Sequence, residues 1–141
     1  MIEEAVKALL ASDSAVGSFV GMGVSARIYP VILPQGAVVP ALTYRGVSNH
    51  TVMSHDGPGL QRPRVEINAY APSYGPAKAL TVAVRRVLCP RERTGPADYR
   101  RTVGGVEIQA VFPGIDQDFY EPDTKLFRIM SDFFVHAAVA A

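Results

Sequence analysis

Between Arg64 and Ala71 the chain alternates without a break, and two residues later its period changes. Val65, Ile67, Ala69 and Ala71 point one way; Arg64, Glu66, Asn68 and Tyr70 point the other. A period of two describes a strand with one buried face and one face that is wet or at an interface. From Pro72-Ser73 onward, Ala77, Leu80, Thr81, Val84, Val87 and Leu88 recur at helical spacing, with Lys78, Arg85 and Arg86 outside. Ser73 is placed to cap this helix and Pro90 to stop it. A strand running straight into an amphipathic helix restricts the fold to classes that pack helices on sheets.

The rest of the chain follows the same grammar. Ile2, Val6, Leu9 and Leu10 share one helical face up to about Ala11, with Glu3 and Glu4 in the first turn, where the helix dipole favours negative charge. Asp13 or Ser14 can cap a second short helix that carries Val16, Phe19 and Val20 and ends at Gly21 and Gly23. Residues 26–29 read as a short strand terminated by Pro30, and Pro34, Gly36 and Pro40 mark a turn-rich connection. Residues 41–48 form a strand that pairs with 64–71 as an antiparallel hairpin, with Asn49 to Pro63 as a polar loop. Residues 91–102 carry many charges and no pattern, which describes a solvated connector or a basic contact patch. A strand from Gly105 to Phe112 is turned by Pro113-Gly114, and residues 126–137 make the last strand.

In that last strand Phe127, Ile129, Phe133 and Val135 face the core; Arg128, Met130, Asp132, Phe134 and His136 face out. Phe134 on the wet side has two readings, a slipped register or an apolar patch meant for a neighbouring subunit. Together these elements predict an α+β fold: an antiparallel or mixed sheet of about four to five strands with two main helices packed on one face, in one domain over residues 1–141.

Chemistry is scarce. The net charge is +1, without the basic stripe of a dedicated nucleic-acid binder. Cys89 is the only cysteine and cannot form an internal disulfide. No run approaches the roughly 18 apolar residues of a membrane span, and the acidic start Met1-Ile2-Glu3-Glu4 is unlike a signal peptide, so cytoplasmic synthesis is expected. His50, His55 and Asp56 share one loop, but their spacing focuses on no single point and no fourth ligand is evident. A small metal-dependent enzyme built on them is the reading from another class. There is no nucleophile elbow, Walker loop or dinucleotide fingerprint. The expectation is a protein with no catalytic residues, no cofactor and no metal.

Several pieces, in order, resemble the tail completion (tail terminator) family of long-tailed bacteriophages and prophages. They are Ala8-Leu9-Leu10, Arg27-Ile28-Tyr29-Pro30, Leu33-Pro34-Gln35-Gly36, Pro40-Ala41-Leu42-Thr43-Tyr44, Asp56-Gly57-Pro58, Arg64-Val65-Glu66-Ile67, Ala77-Lys78-Ala79-Leu80 with Val84-Arg85, and the turn Tyr120-Glu121-Pro122. The resemblance runs from the first helix to about His136; residues 91–102 match no family pattern. It implies a virion structural protein of the tail or neck. Proteins of this kind form a homo-oligomeric ring, usually of six subunits, on the finished tail tube. The ring stops polymerisation and offers a surface to the head completion or connector protein. Its partners are the major tail tube protein, the head-side protein and its own copies, with DNA passing through the lumen without sequence-specific contact and no membrane involved. Another neck component of similar size is the nearest alternative. On this reading His50, Met53, His55, Asp56, Arg62, Arg64, Tyr70 and Phe134 are the residues expected at a subunit or partner interface.

Overall fold

The computed structural model describes residues 2–48, 51–54, 57–89, 101–103 and 105–139. Helix α1 spans Ile2–Ser12 and α2 spans Ser14–Val20. Asp13 caps α2: its carboxylate Oδ2 accepts the Val16 N–H at 3.0 Å and satisfies one of the orphan donors of the first turn. A 3₁₀ turn at Gly23–Ser25 leads to β1, Ile28–Pro30. Then come β2 (Ala41–Ser48), β3 (Thr51–Ser54), β4 (Gly57–Gln61) and β5 (Arg64–Ala71). Helix α3 covers Tyr74–Leu88. Ser73 holds its N-cap position but makes no side-chain capping bond. Strands β6 (Arg101–Val103), β7 (Val106–Glu121) and β8 (Leu126–Val139) complete the chain.

All eight strands join one mixed sheet, more than the four to five expected. Six follow a continuous path, β1-β2-β5-β8-β4-β3, and β7 with β6 joins β8 off that path. Strand β8 is the spine. Arg128 is register partner to Tyr70 of β5 and to Phe119 of β7, so those strands flank β8 on opposite sides. Further along, Ala137 pairs with Gln61 of β4 and Ile108 of β7. Strands β3 and β4 therefore prolong the β2–β5 hairpin inside what the sequence presents as a polar loop. Gly57, Pro58 and Gly59 disguise them, because these residues normally weaken a strand.

A second departure lies in β7. Pro113 and Gly114 do not turn the chain; the register slips between Pro113 and Asp116 and the strand continues to Glu121. A bulge absorbs the residues that cannot fit the ladder.

The core explains why β5 reads so clearly. Val65, Ile67 and Ala69 of β5, Phe133, Val135 and Ala137 of β8, and Val106, Ile108 and Val111 of β7 share one hydrophobic cluster with Val6 and Leu10 of α1, Val16 and Val20 of α2, and Leu80, Val84 and Leu88 of α3. Each fully buried large side chain in it contributes about 1.5–3 kcal/mol relative to exposure. A smaller cluster of Ala71, Ala77 and Ile129, packed by Phe127, closes the far end.

Candidate functional site

The opposite face of the sheet, which alternation predicts to be wet or at an interface, is partly dry within the single copy. Glu66, Asn68 and Asp132 are buried there. Glu66 and Asp132 are register partners, an arrangement that is unfavourable for two carboxylates unless cations intervene. Two do. The Arg45 guanidinium donates to Glu66 Oε2, with Nη2 at 2.7 Å and Nε at 2.8 Å. Arg64 donates to Asp132 Oδ2 through Nε at 3.1 Å and through Nη2. Arg128 extends the ladder, donating to Asn68 Oδ1 at 3.2 Å and lying 3.3 Å from Glu121. Arg45 and Arg64 each neutralise a buried carboxylate while part of their own side chains stays in solvent.

At one end of this face, aromatic side chains take over. Phe112 of β7 and Phe134 of β8 are register partners, and both are about half exposed. Phe112 meets the His136 ring edge-on at 5.1 Å, and the Arg64 guanidinium stands 5.9 Å from the centre of the Phe134 ring. Burial, and then the charge of Arg62, hold the His136 imidazole below its ordinary pKa.

At the other end the connection after β1 folds over the sheet. Val31 sits in the left-handed region (φ 65°), costly for a β-branched residue, and its N–H is taken by Tyr44 O at 2.8 Å. Arg27 ties the end of this segment to α2, donating to Pro40 O at 3.0 Å and to Phe19 O at 2.6 Å. Between this strap and the β7–β8 turn lies a cleft of about 720 Å³, lined by Leu33, Pro34, Gln35, Tyr70, Glu121 and Thr124 among others. The front and rear turn-rich blocks of the sequence thus meet across one cleft.

The expected interface residues divide accordingly. Arg64 and Phe134 come together, with exposed Arg62 just before them. Tyr70 does not join them: it is buried at the strap end, and burial pushes its hydroxyl above the usual range. Met53 lies on β3 opposite Pro58. His50, His55 and Asp56 lie outside the described residues, as do residues 91–100 of the charged segment; Arg101 and Thr102 belong to β6. Among the described residues no group of three His, Cys, Asp or Glu side chains is placed to hold a metal ion.

Sequence reasoning missed the outer half of β7. Its carboxylates turn to α3: Asp118 accepts from Tyr74 at 2.8 Å and pairs with Lys78 at 3.1 Å, and Asp116 pairs with Arg85. Phe119 lies under the Arg128 guanidinium at 4.4 Å, and Tyr120 packs on Phe127 at 5.0 Å. The signal was present as Phe112, Ile115, Phe119 and Tyr120, but a presumed turn at Pro113 hid their membership of one strand.

Residues 4–136 match the family model described as tail completion protein gp17. Among solved structures, a chain of the virion of a native gene transfer agent particle superimposes with a TM-score of 0.69 at 15% identity. The match covers 97% of this chain and 94% of that one, a likeness of fold. Comparison with curated proteins yields no match.

Proposed function

The chain belongs to the tail completion protein family, a structural family of bacteriophage tails, and from that premise we propose that it caps the tail tube as a ring. In this reading the molecule acts as a single unit whose copies, roughly six in number, close on themselves through a heterologous contact. The collar sits on the head-proximal end of the tube, ends its polymerisation and presents a surface to the head completion or connector protein. DNA passes through the lumen, touched without sequence preference, in keeping with a net charge of +1.

The observation that carries this reading is the family match over residues 4–136, nearly the whole chain. The structure adds material for a protein contact. The described part holds an exposed aromatic patch at Phe112 and Phe134 and no metal-binding cluster. We assign the β2–β5 hairpin and its β3–β4 extension, with His50, Met53, His55 and Asp56, to contacts with neighbouring subunits and with the tube or head protein. Arg62, Arg64 and Phe134 border the same region, and Tyr70 lies at the other end of β5, beside the strap.

Electron microscopy of the purified protein beside isolated tails tests the proposal. Rings at the head-proximal end of the tube are expected; a protein that stays solitary there defeats it. Removal of residues 51–61, followed by light scattering and a tube-capping assay, tests the hairpin assignment, which fails if both ring and capping survive.

A further inference from the structure

We propose that neighbouring copies join by continuing one β-sheet across the subunit boundary, the β7 edge of one copy pairing with the β2–β3 edge of the next. This rests on the ring reading above and names the surfaces that close it.

Strand β6 covers β7 only at Val106, Glu107 and Ile108. From Ala110 to Glu121, β7 pairs with β8 on one side and with no described strand on the other. An edge this long is normally guarded by lysines or proline, or covered, because its open backbone groups recruit other strands. Here no Lys or Arg occurs between Val106 and Glu121, and the one proline is Pro113. Asp116 and Asp118, which could repel a neighbour, are engaged by α3. What faces solvent instead is Phe112 at 49%, Ile115 at 60%, Phe119 at 38% and Tyr120 at 53% exposure.

The occupant follows from the opposite edge of the same sheet. Strand β1 accompanies β2 only as far as Tyr44. Arg45 to Ser48 and, beyond them, Thr51 to Ser54 of β3 have no described partner on their outer side. Val47 is skipped by the β2–β5 register and stands exposed. Strand directions agree as well. The pairs β2/β5, β5/β8 and β8/β7 are all antiparallel, so β2 runs opposite to β7. Two copies set side by side in the same sense therefore place β7 of one antiparallel to β2 of the next, and the junction repeats the pairing already used inside each subunit.

Joining two different edges is a heterologous contact, the kind a ring requires; β7 against β7 would give a two-fold dimer and stop there. Burying four large side chains on one strand supplies on the order of several hundred Å² towards the ~800 Å² per partner of a stable interface.

The test uses the full chain with benzoylphenylalanine in place of Phe119, assembled from mixed light and heavy-isotope copies and irradiated. Crosslinks between copies to residues 45–54 are expected. Crosslinks confined to the same chain, residues 91–100 included, or running from β7 to β7, or to any other surface, overturn the pairing. In parallel, Ile115→Lys should lower the yield of rings by at least about tenfold with an unchanged melting temperature, whereas Val82→Lys on exposed α3 surface should leave rings intact. Normal rings from folded Ile115→Lys also overturn it. If the unaltered chain forms no ring, alone or on tubes, the ring reading falls. The edge pairing then stands if the Phe119 crosslink to residues 45–54 of another copy forms, and falls if it does not.

Discussion

Arg64 and Asp132 meet across β5 and β8, with Arg64 Nε 3.1 Å from Asp132 Oδ2 and Asp132 only 2% exposed. They are not register partners; Arg64 reaches diagonally from its own partner, Phe134. That reach leaves the Arg64 guanidinium beside both a buried carboxylate and an exposed ring, so it joins the interior of the fold to the candidate interface.

Removing the cation should therefore cost more than a surface ion pair. Arg64→Ala strands the Asp132 charge beside Glu66 and is expected to lower stability by about 2–4 kcal/mol in urea denaturation. The double change Arg64→Leu with Asp132→Leu should recover most of the loss. A surface-like value below about 0.5 kcal/mol for Arg64→Ala would contradict this account.

Two glycines in strands separate crowding from tolerance. A Cβ on Gly114 would lie 3.0 Å from Asp132 Cβ and 3.1 Å from Phe134 Cε2, inside a packed junction. Gly114→Ala should cost about 1–3 kcal/mol. A Cβ on Gly46 would approach the end of the Glu3 side chain at 2.5 Å, and that flexible group can swing away. Gly46→Ala should stay within about 0.5 kcal/mol of the unaltered chain. Thermal melts of the two variants check the contrast.

His136 gives the fold a small acid sensitivity. Its folded pKa lies below 6.5, through burial first and Arg62 second. The unfolded chain therefore binds this proton more readily, so the stability contribution is full above the unfolded value. It declines as pH falls from about 6.5 through the folded value and is flat below it. NMR titration should place the His136 pKa under 6.5, and Arg62→Ala should move it upward. His136→Gln should flatten the stability profile in that window.

The Asp13 cap is a local test. Asp13→Ala removes the acceptor of the Val16 N–H and should cost about 1 kcal/mol, while Asp13→Ser should retain most of it. Denaturation midpoints with unchanged slopes would support a change confined to the folded helix end.

Much of the architecture is written in short-range patterns. Strands β2 and β5 match their expected limits, and α1, α2 and α3 lie where apolar spacing and Asp13 put them. The strand at β4 escaped notice because Gly57, Pro58 and Gly59 are poor strand formers; there the pairing is made by β3 and by β8 at Leu60 and Gln61. The length of β7 escaped for a similar reason, since a bulge tolerates Pro113 and Gly114 on an edge strand. Of the candidate site, Arg64 and Phe134 were legible as members of the outward face. Phe112 and His136 were not singled out, because only the β7–β8 pairing makes them neighbours.

By itself, then, the order of residues determined the period of each element, the helix starts, and which side chains of β5 and β8 enter the apolar core, because those depend on groups a few positions apart. Tertiary structure alone decided that Glu66, Asn68 and Asp132 would lie dry beneath arginines, that the strap at residues 31–39 would meet the β7–β8 turn, and that β7 would be left with an open edge. These depend on contacts between residues far apart in the chain, and side-chain periodicity carries no record of which strand becomes whose neighbour.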